Sequence, residues 1–519
     1  LVDGSLLGLA AFAGGLAAAE VVTRASSSFQ SPVLDVGDRV VDGVPEQAKE
    51  LAIEWFGTND KIALLTGIGV VLALVAAAIG VLALGRRVWP ALVGVALFGL
   101  AGAFASQTTR RAAPFVAVVP SLVGAVVAGL VLLALRRRAR PDTAPTPEDQ
   151  PVADRKHVPS IAELTPSDRR RFLAAVGLTA AGAVVVGASA RRVGVRDVAA
   201  ESRRSLVLPA AAEPAGMVPA GAQAPVAGVS PFFTPNDAFY RIDTALTVPR
   251  VSIDDWRLRI DGLVGRPMEL SFADLVDRTL VETDITLTCV SNEVGGSLMG
   301  TARWLGVRLD DLLAEAGFDP SADQIVGRSV DGYTCGFPVA ALDGRPALVA
   351  VGMNGEPLPL QHGFPARLIV PGLYGYVSAT KWLTELEVTR FADFDQYWVK
   401  RGWVADAPIK LQSRIDTPRG LASVPAGTVP IAGVAWAQTR GIDAVEVRID
   451  DGDWQAATLA DEWNDITWRQ WSYAWEAAPG RHTITVRATE KNGPIQTDER
   501  SEPFPSGATG QHSIVVIVR

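Results

Sequence analysis

Ile285-Thr286-Leu287-Thr288-Cys289-Val290-Ser291-Asn292-Glu293-Val294-Gly295-Gly296 is the stretch on which the fold turns. Its first six residues are β-branched, aliphatic or small, which predicts a strand with Cys289 near its end. Small polar residues and a glycine pair follow, so the strand hands a thiol to a tight loop. That is one way to present a ligand to a buried cofactor. On spacing alone, a lone thiol is more often a small buried apolar residue than a ligand. The second cysteine, Cys335, also leaves a Cys289–Cys335 disulfide open.

The elements around this strand define a domain over 230–405. Trp256–Gly262 alternates and ends in a turn pair, a strand; Ser271–Val276 reads as a short helix with a serine cap. Leu305–Ala316 has helical apolar spacing and stops at Gly317, and Arg367–Pro371 and Thr380–Val388 are strand patterns. Short strands, short helices and many loops predict a mixed α+β domain. After Pro408 the helical patterns vanish. Strand-like runs at 428–436, 443–449, 465–475, 481–488 and 512–518, with turn signals at Asp450-Asp451-Gly452 and Lys491-Asn492-Gly493, predict an immunoglobulin-like β-sandwich over 406–519. Trp454, Trp463, Trp468, Trp471 and Trp475 cluster there as core and interface packing.

The N-terminal part has a different composition. The chain has 519 residues, 48 Lys and Arg against 56 Asp and Glu, and a net charge of −8. That balance excludes a nucleic-acid binder, which needs a basic face. Between 61 and 135 the charged residues are Lys61, Arg86, Arg87, Arg110 and Arg111, with no acid. Residues 62–85, 88–106 and 113–135 are clear membrane spans, near the roughly 20 apolar residues a bilayer requires. Residues 5–23 are a marginal span, interrupted by Glu20. Arg86, Arg87 and the run Arg136, Arg137, Arg138 and Arg140 place those ends in the cytoplasm. Arg110 and Arg111 violate the rule. After a Pro-rich linker at 141–167, Asp168-Arg169-Arg170-Arg171-Phe172-Leu173 opens a further apolar run. It reads as a twin-arginine-like export signal retained as an anchor, or as a plain fifth helix. Either way, everything beyond 191 is extracytoplasmic. The anchor is thus 1–195, and the Ala-, Pro- and Gly-rich 196–229 is read as a linker.

Three motifs in order carry a family resemblance. Thr286–Gly296 followed by Ala302-Arg303-Trp304-Leu305-Gly306-Val307 resembles the molybdenum-pterin domain of the sulfite oxidase family. So do Pro357–Leu360 with His362-Gly363-Phe364-Pro365-Ala366-Arg367, and Pro371-Gly372, Tyr374-Gly375 with Ser378–Leu383. The C-terminal sandwich is similar to the family's dimerisation domain, which implies a homodimer as one arrangement. The resemblance covers about 230–519. It implies that Cys289 is the thiolate ligand of molybdenum and that His362, Arg367, Ser378 and Lys381 hold the pterin, with Asn236, Ser291, Asn292 and Thr334 also lining the cofactor site. Tyr397 and Arg241 are the candidates nearest the substrate. The segment Thr234–Thr244 departs from the sulfite-oxidising pattern, with Asp243-Thr244 in place of Asn-His, and is more similar to sulfoxide-reducing members. Cys335 receives no ligand role.

The function expected is a membrane-anchored molybdopterin oxidoreductase. It would transfer an oxygen atom, with two electrons, to or from a small oxyanion or sulfoxide-type substrate. No histidine precedes His157 and no CxxCH motif occurs in the sequence, so no haem is expected in this chain. Electrons would pass to a separate cytochrome or quinone-linked protein. The rival reading is a cofactor-free scaffold on the same fold, docked to a membrane complex.

Overall fold

The computed structural model describes the chain apart from residues 26–28, 45–54, 56–59, 108–114, 140–165, 194–197 and 492. The Pro-rich linker through 165, Arg110, Arg111, Arg140 and His157 lie outside the described residues. The chain divides into two units: Leu1–Arg196 with Ala245–Thr247, and Asp197–Thr244 with Val248–Arg519.

The first unit is helical: α1 (Val2–Val22), α2 (Pro32–Gly43), α3 (Asp60–Ala83), α4 (Trp89–Ser106), α5 (Val119–Arg138) and α6 (Pro166–Val193). All but α2 contain stretches long and apolar enough to cross a membrane. Their glycines let backbones touch. A Cβ on Gly8 of α1 would strike the Ala76 carbonyl of α3, and one on Gly80 would strike the Gly4 carbonyl. Small residues at such crossings allow close van der Waals packing where lipid gives no hydrophobic drive. The marginal span α1 packs against α3, α5 and α6. Glu20, which interrupts it, accepts a hydrogen bond from Ser31 Oγ. At the far end of α5, Arg136 donates to the Ala83 and Gly85 carbonyls.

The second unit begins where a linker was expected. Residues from 198 onward instead lie along the rest of the unit. Within α7 (Val198–Ser205) Arg203 donates to the carbonyls of Pro357 and Leu358, and further on the Gln223 and Gln470 side chains bond to each other. Ala and Pro content hid this packing, because its hydrogen bonds are made largely through backbone groups.

Two sheets follow. The first has the order β2-β1-β10-β5-β6: β1 (Arg257–Gly262), β2 (Met268–Ser271), β5 (Gln324–Ser329), β6 (Thr334–Pro338) and β10 (Leu383–Thr389), with β1 and β10 parallel. The second has the order β3-β4-β7-β8, with β9 beside β7: β3 (Leu280–Thr288), β4 (Met299–Arg308), β7 (Leu348–Met353), β8 (Glu356–Pro357) and β9 (Arg367–Ile369). Helices α8 (Phe272–Val276), α9 (Leu309–Ala316) and α10 (Gly375–Ser378) complete the domain. Ser271 caps α8 in a reciprocal capping box with Asp274. Trp256, Leu258, Ile260, Leu312, Phe337, Val349 and Leu386 fill one core. The helix expected from Leu305 begins only at Leu309. Residues 305–308 extend β4 because Arg308 pairs with Leu348 of β7, so a tertiary partner overrides the local pattern.

Beyond Pro408 two sheets face each other, with no helix among the described residues. One has the order β11-β13-β17-β16: β11 (Gln412–Thr417), β13 (Gly427–Trp436), β16 (Thr458–Leu459) and β17 (Arg469–Ala477). The other has the order β12-β19-β18-β14-β15: β12 (Ser423–Val424), β14 (Ile442–Ile449), β15 (Gln455–Ala456), β18 (Gly480–Glu490) and β19 (His512–Val518). Ile431 and Trp471 of the first meet Val447, Ile484, Val486 and Val516 of the second. The tryptophans divide by role. Trp471 and Trp475 are core, Trp454 lies under Arg448 and Arg487, and Trp463 and Trp468 reach β3.

That last contact positions the site. β3 is an edge strand, and an open edge is a hazard. Here its outer side is covered. Thr286 donates its N–H to the Ile466 carbonyl, its Oγ1 accepts from Trp468 N–H, and its carbonyl accepts from Gln438. Asp284, bound by both Arg303 nitrogens at 2.9 Å, also accepts from Trp463 Nε1. The strand that ends at Cys289 is therefore clamped from both sides.

Candidate functional site

Cys289 is the first residue after β3. Its N–H donates to the Leu298 carbonyl at 3.0 Å, and its own carbonyl accepts from Asn292 N–H at 3.1 Å. The buried Asn292 side chain accepts from Leu298 N–H at 2.8 Å, so the loop closes on itself. Gly295 has φ +80°, and a Cβ there would meet the His512 ring of β19. Arg414 of β11 donates to the Gly296 carbonyl at 2.9 Å. The sandwich thus holds the cysteine loop directly. Burial pushes the Cys289 thiol up, while hydrogen bonds from Ser291 and the charge of Lys381 pull it down.

Three tyrosines stand near enough to Cys289 that a thiolate there would raise them further. Burial pushes up Tyr374, to about 12, as well as Tyr240 and Tyr333, both raised well above the ordinary phenol value. All three keep their hydroxyl protons and remain hydrogen-bond donors. Tyr333 donates to the Tyr376 carbonyl at 2.9 Å.

A cationic end lies beside them. Arg367 is 5 % exposed and donates from Nη1 to the His362 carbonyl at 3.1 Å, with its guanidinium over the Trp304 ring. Its Nε–H is buried without a partner among the described residues. Burial lowers the Arg367 pKa to about 10. His362 is driven to about 4 by burial and by Arg367, so it is neutral. Its Nε2 lies 3.0 Å from the Asn236 carbonyl, which can only accept, so the proton sits on Nε2 and Nδ1 is left as an acceptor. Gly363 joins these residues. Its φ is +112°, and a Cβ would press at 3.1 Å on both Arg367 and Lys381. Lys381 donates to Asp243 at 2.7 Å, and Asp243 pairs with Arg241 at 2.7 Å. Burial lowers Lys381 to about 8, against the opposing pull of Asp243.

The structure therefore gathers Cys289, Ser291, His362, Arg367, Lys381 and Arg241. Other expected residues serve the scaffold. The Asn236 side chain donates to Glu356, and its carbonyl orients His362. Ser378 Oγ donates to the Leu373 and Tyr374 carbonyls, closing the α10 turn. Thr334 Oγ1 accepts from Tyr397 N–H. Tyr397 stands one ring back, 5.7 Å from Tyr333, with Arg401 stacked over it at 3.6 Å. The disulfide is not formed. Both cysteines are free, and buried Cys335 lies 2.9 Å from Thr380 Oγ1, its thiol pushed up to about 11. Sequence reasoning gave no role to Tyr240 and Asp243, which stand in the segment ending at Thr244, or to Tyr333, which lies outside the quoted motifs. It also missed His512 and Arg414, for which the sequence carries no signal.

His512 resembles His362 electrostatically: burial, with Arg414 nearby, lowers it to about 4. Both histidines refuse a proton that the unfolded chain takes up near 6.5. The unfolded state then binds more protons between about pH 6.5 and 4, so stability falls as pH falls through that window. Thermal unfolding followed from pH 7 to 4 is expected to show this loss. It should be shallower in His512→Gln.

Among the described residues no cluster of three or more His, Cys, Asp or Glu could hold a metal. One thiol suits a metal that arrives with its own ligands. A buried guanidinium with an unpaired N–H suits a phosphate oxygen. The residues present fit a molybdenum-pterin cofactor: Cys289 for the metal, and Arg367 and Lys381 for the anion.

Known proteins agree. Residues 245–398 match the oxidoreductase molybdopterin binding domain family. The chain is 31% identical to sulfite oxidase of Gallus gallus over 320 residues, 51% of this chain and 68% of that one. It is 30% identical to mitochondrial sulfite oxidase of Homo sapiens over 320 residues, 51% of this chain and 58% of the human protein's length. The oxidoreductase YuiH of Bacillus subtilis (strain 168) is 34% identical over 148 residues, 28% of this chain and 72% of its own. The chain belongs to the sulfite oxidase family of molybdopterin-binding oxidoreductases.

Proposed function

We propose that the chain is a membrane-anchored molybdenum oxidoreductase that moves an oxygen atom to or from a small sulfur oxyanion or sulfoxide outside the cytoplasmic membrane. The observation that carries the reading is the pairing of a loop-held thiol at Cys289 with the buried, incompletely paired Arg367. Bound there, the cofactor supplies two-electron oxygen-atom exchange between Mo(VI) and Mo(IV). The chain's own residues do the rest. Arg367 and Lys381 hold the anionic end, and neutral His362 offers Nδ1 as an acceptor. Tyr240 and Tyr374 keep neutral hydroxyls on the side of Cys289, where a donor can steady charge on a substrate oxygen.

The five apolar helices support the anchor, and the basic residues that end α5 support a cytoplasmic face there. The twin-arginine-like start of α6 supports export. The two facing sheets of the C-terminal part support an immunoglobulin-like fold, and a homodimer through it rests on the resemblance alone. A separate cytochrome or quinone-linked protein takes or gives the electrons. The test is purification of the full chain from molybdenum-replete cells, with metal and pterin quantified and turnover measured with sulfite and with an alkyl sulfoxide. One molybdenum per chain and turnover of one substrate are expected. A folded chain with background molybdenum would establish the scaffold reading instead.

A further inference from the structure

A cavity of about 170 Å³ lies inside the first unit, touched by five helices. Phe12 of α1, Val36 of α2, Leu72 of α3, Phe98 and Gly102 of α4 and Ser121 of α5 line it. Phe12 and Phe98 meet edge to face at its wall, with ring centroids 4.4 Å apart. Among the lining residues Ser121 is the lone polar side chain. It is 5 % exposed, and its Oγ has no hydrogen-bond partner among the described residues. Serines in such helices ordinarily return their proton to a carbonyl one turn back. Ser121 does not. α4 approaches it at Gly102, where a Cβ would lie 2.8 Å from that Oγ.

An unpaired buried hydroxyl costs about 1–3 kcal/mol, and three candidate occupants differ in whether they relieve it. Water needs two to four polar partners, and this wall offers one. A lipid acyl chain fills apolar volume but leaves the hydroxyl unpaired. A flat apolar ring with a carbonyl oxygen does both. A cavity of roughly 150 Å³ accommodates a benzene-sized ring, so the volume also matches. We infer that this cavity binds the head of a membrane-soluble quinone, with Ser121 Oγ–H donating to one quinone carbonyl. No lining side chain titrates, so the cavity has no proton donor of its own for quinone reduction, and the assignment is to binding. It uses the first unit alone, so its failure leaves the assignment of the second unit intact.

The test uses the full chain in phosphatidylcholine nanodiscs, with menadione as the probe and equilibrium dialysis against empty discs as the readout. Saturation at one menadione per chain is expected. Ser121→Ala is expected to weaken binding about tenfold while leaving the ligand-free chain no less thermostable. Val36→Phe, which fills the cavity, is expected to abolish saturable binding. The control is 2-methylnaphthalene, the same ring system without carbonyls, which is expected to bind as weakly to the parent as menadione does to Ser121→Ala. Uptake no greater than in empty discs would overturn the inference by leaving the cavity to lipid. Equal binding of 2-methylnaphthalene and menadione, or unchanged menadione binding in Ser121→Ala, would also overturn it.

Discussion

Arg367→Met is expected to give a chain that folds as well as the parent and carries no molybdenum. In the protein alone this guanidinium is a burden. It is 5 % exposed, its Nε–H has no acceptor, and burial pulls its pKa to about 10. Replacing buried charge with an apolar side chain of similar length is often neutral or stabilising. Met would retain the contact with Trp304 that the guanidinium now makes. The benefit of the arginine comes only with an anion in place. Each hydrogen bond to a charged group contributes about 1.5–3 kcal/mol, so losing two such bonds weakens cofactor binding on the order of 10²- to 10⁴-fold. Molybdenum and pterin content should both fall to background, while the melting temperature of cofactor-free material stays level or rises. A marked drop in that temperature would show instead that Arg367 is a structural residue.

The particular residues explain what sequence could and could not show. Strand β3 and the loop after it were legible because side-chain alternation and the glycine pair are local signals. So was the serine cap at Ser271, though not its reciprocal partner Asp274. The start of α9 was not, because residues 305–308 satisfy a helical spacing and a strand equally, and only the pairing of Arg308 with Leu348 decides between them. In the site, Cys289, His362, Arg367 and Lys381 were legible as motif positions. Asn236, Ser378 and Thr334 sat in the same motifs, yet their side chains are occupied in holding backbone or neighbouring side chains. A motif marks a neighbourhood and does not say which atom faces the cofactor. His512 and Arg414 lie more than a hundred residues from the loop they brace. No pattern around Cys289 could announce them, because that contact exists only once the sandwich has docked.

Cys289→Ser should separate the metal end of the site from its anion end. The loop at Cys289 is closed by backbone groups: the residue's N–H to Leu298, its carbonyl from Asn292, and the Asn292 side chain to Leu298. None of these uses the sulfur, so the fold should tolerate the exchange within about 1 kcal/mol. Arg367, Lys381 and His362 are untouched, so pterin should still be bound. What is lost is the soft ligand. A hydroxyl deprotonates far less readily than a thiol and suits harder metals. Turnover should therefore fall by at least about 10³-fold, in the range seen when a principal catalytic group is removed. The informative comparison is between the two variants. Arg367→Met should lose pterin and activity together, whereas Cys289→Ser should lose activity and keep pterin, as read by fluorescence of the oxidised pterin released on denaturation. If both variants lose pterin equally, the thiol anchors the cofactor as much as the cationic cluster does, and the two ends of the site are not separable. If Cys289→Ser retains turnover, the sulfur does not touch the reacting metal, and Cys289 is the small buried residue that its spacing alone allowed.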